Sequence, residues 1–188
     1  MSEQTKIVYL NGQFMPVEKA TVSVMDRGFL FGDAVYEVIP VFGSEMLRLD
    51  GHLDRLQNSL DRISMQNPFN DDEWYVLFSE LLNKNSGEDR AIYLQISRGA
   101  YEKRDLSIPT DCEIAPTVFA MVLQVAAPAD AAVSTKAISA ITIDDFRWDA
   151  CDIKSTSLVA NVMLRQQAAD AGVEDAILIK NGVVTEGT

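Results

Sequence analysis

An Asn-Gly pair set inside an alternating apolar run is the most restrictive local signal in this chain, and it occurs twice. "KIVYLNGQFMPV" holds Asn11-Gly12 near one end, and "AILIKNGVVT" holds Asn181-Gly182 near the other. A two-residue connection needs positive φ at both central positions, which Asn and Gly tolerate, and its twist suits paired antiparallel strands. Both segments are therefore expected to be hairpins. A third, "AVYEVIPVFGSEMLRL", is expected to turn at Gly43-Ser44.

Between the hairpins the period changes. "DGHLDRLQNSLDRI" places Leu53, Leu56, Leu60 and Ile63 on one helical face, with Asp50 as the expected cap. "NDDEWYVLFSELLNKNSG" predicts a second helix, opened by Asn70 or Asp71 and ended before Gly87. "RAIYLQISRG" and "PTVFAMVLQVAA" are strand-like and flank a polar stretch from Ala100 to Ala115. A strand in "KAISAITI", a helix over about residues 156–171 and the last hairpin follow. This order predicts an α+β chain of two lobes: 1–126, a linker at 127–132 in "APADAA", and 133–188. The second lobe has too few elements to cover its own faces, so it is expected to be truncated or to lie against a partner.

Composition narrows the function. A net charge of −12 argues against nucleic acid or an anionic membrane as partner, since both reward a basic face. One histidine, His52, and two separated cysteines, Cys112 and Cys151, offer no metal-ligand set. "MSEQTKIVYLNGQF" has no apolar leader, and no run is long enough to span a bilayer, so a reduced cytoplasmic setting is expected.

Three residues carry chemical potential. Lys154, in "CDIKSTSLVANVML", is read at the first turn of the last helix. The positive end of the helix dipole disfavours an ammonium there, which suits a nucleophile or proton carrier. Glu186 sits at a strand end in "VTEGT", and Arg55 is a fork-shaped donor suited to phosphate. Taken singly, each is more economically a solvated surface charge.

Taken together, "VMDRGFLFGDAVYEVIPVFGSEMLRLDGHLDRL", "YLQISRG", "DIKSTSLVANVMLRQQAADAGVEDAIL" and "VTEG" occur in an order that resembles the class IV, fold-type IV pyridoxal-phosphate aminotransferases. Within that family they look most like the D-amino-acid branch. The resemblance implies a two-lobed fold: a small N-terminal α/β lobe and a larger β-barrel-like C-terminal lobe, here incomplete. It implies pyridoxal 5′-phosphate as cofactor, with Lys154 bonding to its aldehyde and moving the substrate α-proton. Glu186 would pair with the ring nitrogen, Arg55 would hold the phosphate, and Tyr36 would lie beside the substrate. The implied reaction moves the amino group of a D-amino acid of the D-alanine type to a 2-oxo acid such as 2-oxoglutarate, giving pyruvate and D-glutamate. A homodimer is implied as well.

One loop departs from the family pattern. Relatives grip the substrate α-carboxylate with an arginine and, two residues later, a histidine. In "SRGAYEKRDLSIP" Arg104 matches the arginine, Leu106 replaces the histidine, and the loop is one residue longer. Arg98 is the other candidate donor for the carboxylate, with Lys103 beside it. Two relatives' activities share the lysine and glutamate: aminodeoxychorismate lyase, which releases p-aminobenzoate and pyruvate, and branched-chain L-amino-acid transamination. An inactive, dimerising fragment is the reading from a different class.

Overall fold

The computed structural model describes residues 6–110, 114–125 and 137–188; the expected linker at 127–132 and Cys112 lie outside them. The chain divides into two compact units, Met1–Ala127 with Asp152–Thr156, and Pro128–Cys151 with Ser157–Thr188. Asp152–Thr156, expected in the second lobe, clusters with the first unit instead.

The first unit is built on a six-stranded antiparallel sheet. Its strands are β1 (Ile7–Leu10), β2 (Gln13–Pro16), β3 (Ala34–Phe42), β4 (Glu45–Met46), β5 (Asp89–Ser97) and β6 (Thr117–Gln124). Their order across the sheet is β2-β1-β6-β5-β3-β4. The first hairpin turns where expected, with φ of 47° at Asn11 and 89° at Gly12. The β3–β4 hairpin likewise closes around Gly43-Ser44, pairing Phe42 with Glu45.

Two helices cover one face of this sheet. Helix α2 (Leu49–Arg62) buries Leu53, Leu56 and Leu60, and Ile63 packs at the margin of the same core. Its N-cap is Arg48, in the left-handed region at φ 51°, and not Asp50. Asp50 instead occupies the first turn, where its negative charge complements the dipole. Helix α3 (Asp71–Asn83) opens with a capping box: the Asn70 side chain accepts from Glu73 N, and the Glu73 side chain accepts from Asn70 N. Trp74, Phe78, Leu81 and the inward residues of β3, β5 and β6 complete the core. Each fully buried leucine or phenylalanine contributes roughly 1.5–3 kcal/mol.

A short helix that the spacing does not predict, α1 (Arg27–Phe31), precedes β3. Its N-cap Asp26 is buried and accepts from Gly28 N, Ser97 Oγ and Thr117 Oγ1. Gly28 has no room for a Cβ, because Ser97 Cβ would stand 2.7 Å from it. That contact ties α1 to the end of β5.

The second unit, described by itself, contains β7 (Ala140–Asp144), α4 (Val159–Asp170), β8 (Asp175–Lys180) and β9 (Val183–Gly187). β7 and β8 are parallel, with α4 as the crossover, and β8 and β9 form the hairpin around Asn181 and Gly182, both at positive φ. Leu164, Ala168, Ala176 and Leu178 are its buried core. Val159, Val162 and Met163 on α4 are exposed. Among the described residues no helix is long and apolar enough to cross a membrane.

Candidate active site

The site grows from the phase of one strand. Along β3 the residues Val35, Glu37, Ile39 and Val41 point into the core, and Tyr36 and Val38 point to the face opposite α2 and α3. Tyr36 pairs across the sheet with Gln95, and Gln95 with Phe119. Its ring stacks on Tyr93 at 5.8 Å. On the same face a cavity of about 670 Å³ opens among Leu10, Val22, Phe29, Gln95, Phe119 and Thr156.

The first half of β3 has one free edge, and the chain returns to occupy it. Tyr36 N donates to Lys154 O at 2.9 Å, Thr156 N donates to Ala34 O at 3.0 Å, and Ser155 bridges Val35. Lys154 N donates to Ser59 Oγ of α2 at 3.2 Å, and Ile153 packs against the core. Lys154 is thus fixed through its backbone, and its Nζ stands 4.2 Å from the centroid of the Tyr36 ring. These contacts also explain why Asp152–Thr156 belongs to the first unit.

This placement corrects the expected reason for Lys154. Helix α4 begins at Val159, so Lys154 is not in its first turn, the position on which the expected dipole argument relied. The lysine is displayed by a β-edge, over an aromatic face.

Arg55 lies one turn before Ser59 on α2. Its Nε and Nη2 donate to the two oxygens of Glu37, each at 2.7 Å, and His52 Nδ1 lies 2.8 Å from Glu37 Oε2. Glu37 is 1% exposed and Arg55 about half exposed. The Glu37 hydrogen bonds raise the Arg55 pKa above its ordinary value, outweighing partial burial. Among the described residues Nη1 of Arg55 has no protein partner, so it is free to meet an anion. Glu37 is a residue that sequence reasoning overlooked, although its alternation was readable: a carboxylate in the core phase of a strand demands a cationic partner.

Arg98 is held more tightly than a loop charge would be. Its Nε and Nη2 bind both oxygens of Asp33 at 2.7 and 3.0 Å, and Nη2 and Nη1 also donate to the carbonyls of Ile63 and Ser64. Four of its five N–H groups are thus committed inside the first unit, so Arg98 first serves as a clamp, and among the described residues one N–H of Nη1 is left over. Arg104 is exposed on the following loop, its guanidinium carbon 5.1 Å from the Phe31 ring centroid. Leu106 is 77% exposed.

Burial pushes the Asp33 carboxyl up, but hydrogen bonds and charge from Arg98 and Arg27 outweigh it and hold the group below its usual range. A depressed pKa contributes stability above the unfolded value of about 3.9 and loses it as pH falls through the folded value. Asp33→Asn is expected to lower the urea midpoint at pH 6, and the gap from the unmodified chain should narrow as the pH falls below the unfolded value of about 3.9. A gap that stays constant across that range would show that Asp33 contributes no charge-dependent stability.

Glu186 lies on β9 of the second unit, half exposed, and its carboxylate accepts a hydrogen bond from Arg147 Nη1. Arg147 also grips Asp145 through Nε and Nη2 at 3.0 and 2.9 Å, and Thr185 Oγ1 donates to Asp145 at 2.7 Å. The Arg147 hydrogen bond holds Asp145 far below the ordinary carboxylate range despite some desolvation. Arg147 therefore supplies a fixed positive charge beside Glu186. No spacing rule points to it.

In the first unit Lys154 N meets Ser59, one turn from Arg55 on α2, and Arg55 grips Glu37, the neighbour of Tyr36 along β3. The donor set fits a phosphorylated aldehyde cofactor: an amine on a rigid backbone, and a guanidinium with one free donor edge.

Comparison with known proteins identifies the family. The family model described as amino-transferase class IV matches residues 34–188. A D-alanine aminotransferase of Bacillus licheniformis is 38% identical over 181 residues, covering 96% of this chain and 62% of that protein. One from Staphylococcus aureus (strain N315) is 34% identical and is covered to 63%. The chain thus spans somewhat under two thirds of the curated relatives it matches. Among solved structures, an Escherichia coli branched-chain amino acid aminotransferase has a TM-score of 0.82 at 19% identity, with 97% of this chain and 62% of that one covered. A hypothetical aminotransferase from Mycobacterium tuberculosis, in its PLP-bound form, has a TM-score of 0.75 at 23% identity, with 96% and 64% covered. At these identities the structures speak for the fold, which is the fold-type IV architecture. With a lysine displayed on a β-edge and a family model matched from β3 to the last residue, the chain belongs to the class IV aminotransferases.

Proposed function

We propose that the protein transfers the amino group of a D-amino acid of the D-alanine type to a 2-oxo acid such as 2-oxoglutarate, with pyridoxal 5′-phosphate as cofactor. Pyruvate and D-glutamate are then the products. The observation that carries this reading is the pairing of Lys154, held by its backbone over Tyr36, with Arg55, aimed by Glu37. The relatives at 33–38% identity named D-alanine aminotransferases support the substrate class.

Bound at these residues, the cofactor would supply an electron-accepting ring beside the substrate α-carbon. Lys154 Nζ takes and returns the α-proton, a task that needs an amine fixed within hydrogen-bond reach. Arg55 offers Nη1 to the cofactor phosphate while Glu37 prevents its fork from rotating away. Tyr36 would wall the substrate side, and in the second unit Glu186, hydrogen-bonded by Arg147, is the carboxylate this reading assigns to a protonated ring nitrogen. Arg104 is the donor for the substrate carboxylate. The working assembly in this reading is a cytoplasmic homodimer, supported by exposed Val22, Val24, Phe29 and Leu106 on the first unit.

A second reading, transamination of branched-chain L-amino acids, follows from Leu106, because the loop lacks the histidine that the resemblance leads one to expect for gripping the α-carboxylate of a D-amino acid. A visible absorption spectrum decides between them. Pyridoxal phosphate added to the protein is expected to give the band of lysine-bound cofactor, and D-alanine to bleach it. Bleaching by L-leucine alone would replace the D-amino acid with the branched-chain reading. Failure to form the band would remove both.

A further inference from the structure

We infer that Arg27 is a positioning residue that locks the loop 101–109 into one shape and so presents Arg104. Arg27 is buried on α1. Its Nη1 donates to Asp105 O at 2.6 Å and Ser107 O at 3.3 Å, and Nη2 donates to Leu106 O at 3.0 Å. Its Nε donates to Asp33 Oδ2 at 2.8 Å, and its backbone N to Gly99 O at 2.8 Å.

Three successive carbonyls converging on one guanidinium define a loop shape without consulting the loop side chains. The sharing of Asp33 favours that shape. Asp33 faces two buried arginines, Arg27 and Arg98, and cannot satisfy all the donors of both. Arg98 directs two further N–H groups at the carbonyls of Ile63 and Ser64, and Arg27 directs its own at the loop. If the loop lifted, Arg27 would lose three carbonyl acceptors at once and only water could replace them. The base of the loop is equally constrained. Gly99 has φ +97°, and a Cβ there would collide with the carbonyl oxygen of Ala115. Between these two anchors Arg104 lies against Phe31, whose ring centroid is also 5.0 Å from Arg27. Leu106 therefore uses its carbonyl for anchoring while its side chain stays in solvent. The loop is a rigid arm.

The anchoring stands on this geometry alone, and its consequence for substrate rests on the assignment of Arg104 as carboxylate donor. Arg27→Lys keeps the charge opposite Asp33 but has a single nitrogen, which cannot serve Asp33 and three carbonyls together. Hydrogen exchange by mass spectrometry is expected to speed up about tenfold or more in residues 101–109, with β5 and β6 unchanged. KM for the amino-acid donor should rise several-fold with kcat within about twofold, as in Arg104→Gln, whose loop exchange should stay slow. Unchanged loop exchange in Arg27→Lys overturns the anchoring. Faster loop exchange with unchanged KM, while Arg104→Gln raises KM, overturns the positioning role. If Arg104→Gln leaves KM unchanged, the Arg104 assignment fails and the anchoring remains. The unmodified chain gives a test that needs no variant: the exposed bonds after Lys103 and Arg104 should resist trypsin under native conditions, and rapid cleavage there overturns the proposal.

Discussion

Lys154→Ala is expected to lower the transamination rate by about a thousandfold or more while leaving the fold intact. The two halves of this expectation come from different atoms. Docking of the segment uses Lys154 N on Ser59 Oγ, Lys154 O from Tyr36 N, and the neighbouring Ser155 and Thr156 contacts. All survive truncation at Cβ. Among the described residues the side chain meets the Tyr36 ring, a contact of about 0.5–1 kcal/mol where partly exposed. Thermal unfolding should therefore shift by no more than a few degrees. The proton-transfer role is lost outright, because alanine leaves no amine within reach of the α-carbon. Turnover of D-alanine with 2-oxoglutarate measures the first half, and circular dichroism the second. A small primary amine added to the variant should restore part of the rate. Turnover close to that of the unmodified protein would remove Lys154 from the chemistry.

The reason for Lys154 was less legible in the sequence than its identity. "CDIKSTSLVAN" reads as a helix start because Ser, Thr and Ser precede an apolar helical stretch, and each could cap it. The structure uses those residues otherwise: Ser155 and Thr156 continue an edge pairing with β3, and the helix begins only at Val159, without a side-chain cap. That pairing joins residues more than a hundred positions apart, which no local pattern encodes. The hairpins were legible for the opposite reason. Asn11-Gly12 and Asn181-Gly182 close contacts between near neighbours, and their backbone demands are local. Arg98 shows the same limit from the side of charge. Its position beside the loop is readable, but its partner Asp33, 65 positions away, is not. Arg27 was hidden in the same way, inside a five-residue helix too short to show a period.

Glu37→Gln separates what Arg55 does for the fold from what it does for the cofactor. Glutamine keeps the length of Glu37, but places an amide donor where one carboxylate oxygen now accepts from Arg55, and leaves His52 with a neutral neighbour. Arg55 is about half exposed, so water recovers part of its solvation and the loss stays below the roughly 3–5 kcal/mol of a fully buried pair. Loss of the charge-assisted bonds at the buried end should cost about 2 kcal/mol, lowering the melting temperature by roughly 4–8 °C. With its fork released, Arg55 populates other rotamers, and Nη1 is aimed at the cofactor phosphate for only part of the time. Affinity for pyridoxal phosphate is expected to fall about tenfold, an effect Arg55→Gln should reproduce and the double variant should not double. Equilibrium titration of each variant with the cofactor reads this directly. Lower stability with unchanged cofactor affinity would make the Glu37–Arg55 pair a clamp between β3 and α2, and would move the phosphate contact to another residue.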